Sequence, residues 1–461
     1  MNNILEKIYE NSPWWWQDVM VSVRGWLDKR ARLGAFFWKK LAWLQKTQFW
    51  TKAEIANYQN HQLRELIDFV YENVPFYRER FDACGVKPED IQTREDLKKL
   101  PVLTKEELIA GINAGRFPAQ SPATKGVIWC GTSGSTGKAL RFCAEQEFEQ
   151  WHWAVWWRHR MRFGVKPGDR FATFTGTRGK HVVPFGQKNP PFWRESFWTN
   201  QTVFGMQYIT PQYVGAIVDK LNRENYAYYA GYPSIIASLA EFILEQGLEL
   251  KRKPKVIFTG AERLQEKQRE VMKKVFNCTI TDQYGFTEGA ANASRCECGN
   301  YHEDFEYGIL EVEPIEGNPE VGMVLGTGFS SKVFPLIRYK VGDYCEMGEK
   351  TCPCGRHSRV FKAFEGRMED KVVTREGAKI SRIDYIFKNT VGIKEAQIVQ
   401  EKVGEIIIRL VPRSANWEED KRRLLENVHH CLGLTMEVKF EVVEELERTN
   451  TGKFKAVVSK L

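Results

Sequence analysis

No stretch of this sequence reaches the ~18 consecutive apolar residues that a bilayer-spanning helix needs, which excludes a chain that crosses the membrane on such helices. A strong charge of either sign is missing as well: 67 Lys and Arg against 59 Asp and Glu leave a formal net charge of +8. So mild an excess excludes a nucleic-acid binder working by bulk electrostatics, and an anionic small ligand accounts for it. The first residues, MNNILEKIYENSPWWW, lack the basic, apolar and small-residue succession of a secretory leader, so a cytoplasmic protein is expected. Without a leader, the 10 cysteines do not read as a disulfide framework.

What is present describes a globular enzyme-sized chain. Hydrophobic residues make up 43% and charged residues 27%, and 461 residues suit a large domain with a smaller one. The first hundred residues read as helices: Phe36, Trp38, Leu41, Trp43 and Leu44 recur at helical spacing over 35–47, and Leu63, Leu66, Ile67 and Val70 over 62–72. Seven of the 15 tryptophans fall in residues 1–50, beside eight Lys/Arg and four Asp/Glu. That mixture suits a peripheral membrane contact, although tryptophans more often pack a helical region onto its own domain or a partner subunit, as in a homodimer. From 125 to 290 short apolar strands (Val127–Cys130, Arg170–Thr175, Ala227–Ala230, Lys255–Thr259, Thr279–Thr281) alternate with helices at 151–162 and 234–246, the pattern of a mixed α/β core. Trp153, Trp156 and Trp157 share one face of the first helix; such stripes are more often core than ligand pocket. Strands follow at Gly308–Glu313, Met323–Phe329 and Tyr339–Glu346. Beyond 371, strands at Ala396–Val399, Glu405–Val411 and 436–443 with a helix at 417–431 describe an α+β unit. The expected fold is α/β: a large mixed N-terminal domain, 1–366, helical over 1–120 with an α/β core over 121–366, and a small α+β C-terminal domain, 367–461.

After the first strand comes Gly131-Thr132-Ser133-Gly134-Ser135-Thr136-Gly137-Lys138, whose small residues can close backbone N–H groups around an anion. It is not a Walker A loop, because Ala139 stands where a Ser or Thr would hold magnesium and the glycine spacing is one residue too long. Downstream follow Thr259-Gly-Ala-Glu-Arg263, Asp282-Gln-Tyr-Gly-Phe-Thr-Glu288, Pro335-Leu-Ile-Arg-Tyr-Lys-Val-Gly-Asp343, Gly366-Arg-Met-Glu-Asp370 and Thr451-Gly-Lys453. With Tyr71-Glu-Asn-Val-Pro-Phe-Tyr77 and Pro101-Val-Leu-Thr-Lys105 before them, this series resembles the adenylate-forming superfamily, in particular its phenylacetate–CoA ligase/CapK/F390-synthetase group, along nearly the whole chain.

The resemblance implies a site for ATP. Thr132, Ser133, Gly134, Ser135, Thr136, Gly137 and Lys138 would hold the departing phosphates, and Gly260, Ala261 and Glu262 would border adenine. In the central motif, Tyr284 and Gly285 would lie against adenine, Thr287 would touch the α-phosphate and Glu288 would hold Mg²⁺, which favours hard oxygen ligands. Asp343 would accept the ribose hydroxyls and Arg367 would contact ribose or phosphate. Lys453 would be swung in by a mobile C-terminal lid to bridge ATP and the carboxylate, with the hinge at Glu369, where the family has Asp.

Two close cysteine pairs, Cys296/Cys298 and Cys352/Cys354, with His302 nearby, offer five ligands for a metal such as Zn²⁺, which takes four in a structural site. The resemblance selects Cys296, His302, Cys352 and Cys354, with Cys298 competing for the place of His302. The implied activity is activation of a small carboxylic acid as acyl-AMP, followed by transfer to CoA. Alternatives are transfer to an amine or sugar hydroxyl in surface (capsular) polysaccharide biosynthesis, adenylylation of a hydroxyl, or a nucleotide-binding scaffold without catalysis.

Overall fold

The computed structural model describes residues 3–120, 127–131, 140–175, 182–315, 318–349, 351–365, 372–380, 384–387, 390, 392–412, 417–446 and 457–461. Helices open the chain: α1 (Asn3–Glu10), α2 (Trp14–Arg32), α3 (Ala35–Thr47), α4 (Lys52–Asn73), α5 (Pro75–Ala83) and α6 (Lys105–Asn113). Reciprocal capping boxes, Thr51 with Glu54 and Thr104 with Glu107, satisfy the free amides that start α4 and α6. Pro75 ends α4 and begins α5, because its ring disfavours helical backbone at Val74 and its missing N–H costs nothing in a first turn. Tyr77 projects from α5 into a core with Phe117, Phe142 and Phe334. Its hydroxyl donates to the Pro335 carbonyl at 3.0 Å and accepts from the Ile337 amide at 3.1 Å. Leu103 exchanges backbone hydrogen bonds with Arg338 and Lys340 at 3.0 and 2.9 Å. The two early motifs thus brace the segment that leads to Asp343.

Helix α2 is turned inside out. Its buried side chains are polar: Asp18 accepts the Glu195 amide at 2.9 Å, Ser22 accepts the Phe197 amide at 3.0 Å, and Gln17 accepts from Arg194 at 2.6 Å. At 3.6 residues per turn, Trp15, Trp16, Val19, Val23, Trp26 and Leu27 share the opposite face, and all are exposed. Packing onto the chain's own domain holds for Trp43 and Trp50, which stack among Tyr58, Trp151 and Phe305, whereas Trp14, Trp15, Trp16, Trp26 and Trp38 are exposed on this chain.

A hairpin, β1 (Ile128–Gly131) with β2 (Arg141–Ala144), leads into α7 (Gln146–Arg162). The α/β portion continues through β3 (Phe171–Phe174), β4 (Trp193–Ser196), β5 (Gln201–Phe204), α8 (Val214–Arg223), β6 (Tyr228–Gly231), α9 (Pro233–Glu245), β7 (Val256–Thr259), α10 (Glu266–Phe276) and β8 (Thr279–Gly285). Antiparallel strands follow: β9 (Asn292–Arg295), β10 (Tyr301–Glu303), β11 (Gly308–Ile315), β12 (Asn318–Gly328), β13 (Tyr339–Met347) and β14 (Val360–Glu365). Together they form a 12-stranded sheet in the order β11-β12-β13-β14-β10-β9-β8-β7-β6-β3-β5-β4. The strand expected to end at Thr281 runs on to Gly285, because β8 changes partner: Thr279–Asp282 pairs parallel with β7, and Gln283–Gly285 pairs antiparallel with β9.

The C-terminal region builds its own sheet and core. After β15 (Val372–Val373) and β16 (Lys379–Ile380) come β17 (Ile393–Lys402), β18 (Glu405–Pro412), α11 (Trp417–Leu432), β19 (Glu437–Val442) and β20 (Val457–Ser459), in the order β19-β18-β17-β20. Ile398, Ile406 and Ile408 on the strands pack against Leu424, Val428 and Leu432 on α11.

One buried cation ties the large portion together. Arg158 on α7 donates to Glu306 at 2.7 Å and to Asp304, while Asp304 also accepts from Asn292 and Ser294 of β9 and Glu306 from Thr47 of α3. Replacing one partner of such a group strands the others without compensation, a loss of about 3–5 kcal/mol. Arg158→Leu is therefore expected to lower unfolding stability by roughly that amount, measurable by urea denaturation.

Candidate functional site

Parallel pairing sets three strands level, with Gly231 beside Thr259 and Thr259 beside Asp282. Strands β6 and β7 release their chains at this edge, where α/β folds collect ligands, while β8 runs on past it to Gly285. From β7 emerges Gly260-Ala261-Glu262. Ala261 has φ 65°, a left-handed conformation rarely adopted by a residue with a side chain, and such strain gathers at functional turns. Glu262 accepts the Ser234 amide at 3.2 Å in the first turn of α9, so this turn is fixed to the neighbouring strand–helix junction.

The end of β8 carries Tyr284 and Gly285, followed by the exposed Thr287 and the half-buried Glu288. Tyr284 stacks on Phe364 with centroids 3.9 Å apart and planes 4° apart, and its hydroxyl donates to Asp343 at 3.0 Å. Burial and the facing carboxylate hold this phenol well above the ordinary tyrosine range, so it stays a donor at neutral pH. The Tyr339 hydroxyl reaches Glu288 at 3.5 Å. Tyr284 and Glu288 of one motif thereby meet Asp343 and Tyr339 of β13, more than 50 residues on. The first residue of the motif, Asp282, accepts from Tyr301, and burial pushes its carboxyl up to about 6.

Beside this edge lies a cavity of about 360 Å³ lined by Gly231, Tyr232, Thr259, Gly260 and Ala261 on one side and by Trp153, Trp156 and Trp157 of α7 on the other. The tryptophan stripe is thus part pocket wall, with Trp157 also largely buried in the core. Sequence spacing could not distinguish the two, since a helix packed across a sheet edge buries one apolar face in either case. Arg160, which shares this wall, was not singled out; its signal is its place three and four residues after Trp157 and Trp156.

Away from that edge, Cys296, His302, Cys352 and Cys354 bring their ligand atoms within 4.8 Å of one another. Cys296 directly follows β9, His302 lies on β10 and the other two precede β14; β10 pairs with both β9 and β14. Each cysteine pair closes a tight turn, Gly299 to Cys296 at 3.0 Å and Gly355 to Cys352 at 3.3 Å, and both glycines have positive φ. The Cys296 and Cys352 sulfurs are 3.7 Å apart. Two thiolates bound at ~2.3 Å to one tetrahedral Zn²⁺ would stand about 3.8 Å apart, so the donor set fits. Cys298 is exposed and outside the group. Burial pushes the Cys296 thiol up to about 12 and the His302 imidazole down to about 4, leaving a neutral histidine suited to ligation.

Thr132–Lys138, Arg367, Glu369 and Lys453 lie outside the described residues. The strands that flank the first of these segments pair in register, Gly131 opposite Arg141.

Solved structures of 2-hydroxyisobutyryl-CoA ligase resemble this fold over most of its length. The form with 2-HIB-AMP and CoA in the thioesterification state superposes with a TM-score of 0.58 at 20% identity, covering 90% of this chain and 91% of the other. The postadenylation form gives 0.53 at 19% identity, covering 90% and 91%. The fold is that of the acyl-CoA ligases. Among curated proteins, Protein CapK of Staphylococcus aureus is 25% identical over 470 residues, covering 99% of this chain and 100% of the relative. Phenylacetate-coenzyme A ligase of Escherichia coli (strain K12) is 26% identical over 350 residues, covering 70% and 73%. The family model for the CapK C-terminal domain matches residues 372–460. The chain is thus similar to the phenylacetate–CoA ligase/CapK group of the adenylate-forming ligases.

Proposed function

We propose that the chain activates a small carboxylic acid with ATP. A carboxylate oxygen attacks the α-phosphorus, the bond to pyrophosphate breaks, and acyl-AMP forms; the CoA thiol then takes the acyl group and AMP leaves. The observation that carries this reading is the level register of β6, β7 and β8 at Gly231, Thr259 and Asp282, which puts Gly260, Ala261 and Gln283 in one cavity wall, with Tyr284 and its partner Asp343 following directly on β8. Gly260 and Ala261 border the adenine, and Asp343 accepts the ribose hydroxyls in place of the Tyr284 donor it now holds. Glu288 would hold Mg²⁺, which offsets phosphate charge. Thr132–Lys138 cradle the leaving pyrophosphate, Thr287 touches the α-phosphate and Arg367 its ribose or phosphate.

Lys453 belongs to a C-terminal domain, 367–461, that alternates about a hinge at Glu369 between adenylation and thioester formation. The Cys296/His302/Cys352/Cys354 group would hold a structural Zn²⁺, whose four protein ligands leave no position for reactive water.

The outward face of α2 fits an anionic lipid surface. Exposed positions from 11 to 39 include Trp14, Trp15, Trp16, Trp26 and Trp38 together with Lys29, Arg30 and Lys39, and no Asp or Glu. Half-buried Asp28 is taken by Arg24 at 2.7 Å. A face charged with one sign repels its own copy, whereas tryptophans with flanking cations match the boundary between headgroups and acyl chains.

Lys453→Ala is expected to slow adenylation by roughly 10²–10³-fold, as for other lost contacts to developing charge. Thioester formation from synthetic acyl-adenylate and CoA should stay near the wild-type rate; single-turnover assays of the two halves check this, and equal slowing of both would remove the alternation. Elemental analysis should find about one zinc per chain, retained in Cys298→Ser and lost with reduced melting temperature in Cys352→Ser. In vesicle sedimentation, phosphatidylserine-containing liposomes should bind the protein, and a Trp15→Ala/Trp16→Ala/Trp26→Ala variant should bind about tenfold more weakly. Concentration-dependent dimerisation abolished by the same variant, without vesicle binding, would assign the face to a second copy instead.

A further inference from the structure

Among the described residues, the cavity wall carries a cation without a counter-charge. Arg160 is 8% exposed, and its guanidinium carbon lies 5.6, 5.3 and 5.3 Å from the ring centroids of Trp153, Trp156 and Trp157, 5.9 Å from Tyr228 and 5.7 Å from Phe258. Among the described residues its side chain makes no ion pair and no hydrogen bond. The ionisable groups that act on it are a second cation, Arg32, and the Tyr228 phenol, which burial pushes up to about 12 and so keeps neutral. Arg32 is itself matched by Glu149 at 2.8 Å and Asp28 at 3.9 Å, and Asp28, the one carboxylate among the cavity's described lining residues, also pairs with Arg24. Two positions away, Arg158 shows what a buried arginine in this fold is otherwise given: two carboxylates. Aromatic faces offset part of the cost of burying a guanidinium, yet they satisfy none of the five N–H donors in its plane.

Placement gives this cation a direction. The cavity is lined at the carboxyl ends of the strands by Gly231, Thr259, Gly260 and Ala261, and at their amino ends by Phe171 and Tyr228. Tyr228 and Gly231 are three residues apart on β6, which is about 10 Å of extended chain. Arg160 lies between Tyr228 and Phe258, at 5.9 and 5.7 Å, behind the Gly260–Ala261 turn, and the space around it is walled by flat rings. We propose that the acid taken by this site is a flat, aromatic-type acid carrying a second anionic group, distinct from the carboxylate to be activated, which Arg160 binds in the cavity wall. This rests on the adenylating reading of the cavity mouth. A planar guanidinium suits a carboxylate-like group, to which it donates two parallel hydrogen bonds.

Titration calorimetry with phenylacetate and 4-carboxyphenylacetate tests the proposal on the full-length protein. The dianion should bind roughly tenfold or more tightly, the value of a charge-assisted hydrogen-bonded pair, and Arg160→Met should reduce that ratio to about threefold or less. Where Arg160→Met fails to fold, Arg160→Lys decides, because a point charge without the fork should keep only part of the preference. Equal binding of the two acids, tighter phenylacetate, no binding of either, or a ratio unchanged in the variants would overturn the proposal. ATP–pyrophosphate exchange with the same acids separates it from the reading on which it rests. Equal exchange with both acids leaves adenylation standing and removes the acid class; Arg160-dependent binding without exchange for any acid keeps the class and removes adenylation.

Discussion

The large portion of this protein depends on the buried Arg158 guanidinium. Its carboxylate partners belong to the segment between β10 and β11, and one of them also gathers Asn292 and Ser294 from β9, so a single cation positions α7 against the strand that pairs with the end of β8. The other face of α7 walls the cavity, β8 carries the Asp282–Glu288 motif as far as Gly285, and His302 lies two residues before Asp304. Cavity wall, strand end and cysteine cluster therefore share one electrostatic anchor. The group is costly to bury and is kept because each partner has further donors to satisfy it.

The change of partner along β8 explains why its motif stands where it does. Up to Asp282 the strand has parallel neighbours, whose helices must return over the sheet; from Gln283 it has an antiparallel neighbour reached by a short turn. The chain past this seam is free of a crossover helix, which leaves the edge open for Tyr284 to meet Asp343 from β13. Tyr77 and Leu103 support the same meeting from behind by holding Pro335–Lys340 in place.

Much of this was legible because the relevant information is local. The strands at 170–175, 227–230 and 255–259 declared themselves by short apolar runs, and α4 by its periodicity and the Thr51–Glu54 box. The extension of β8 was not legible, since Gln283 and Gly285 have no strand preference of their own and are ordered by β9. Neither was the Arg158 anchor, whose partners are 146 and 148 residues away and leave no periodic mark. The choice of His302 over Cys298 depends on how the first cysteine turn folds around Gly299, which exposes Cys298. For α2 a signal existed: Gln17, Asp18, Ser22 and Gly25 fall on one face of the wheel, opposite Trp16, Val19, Val23 and Trp26, and the polar side packs on β4.

That inward polar face has a consequence for the sheet. Strand β4 is its last strand on one side, and an uncovered edge offers backbone groups to any passing strand. Asp18 and Ser22 occupy the amides of Glu195 and Phe197, so the helix seals the border that would otherwise invite chain-to-chain stacking. A seal cannot leave its post without reopening that border. Whatever meets the tryptophan face must therefore meet it as a preformed, rigid platform, free of the entropy cost borne by segments that fold only on arrival.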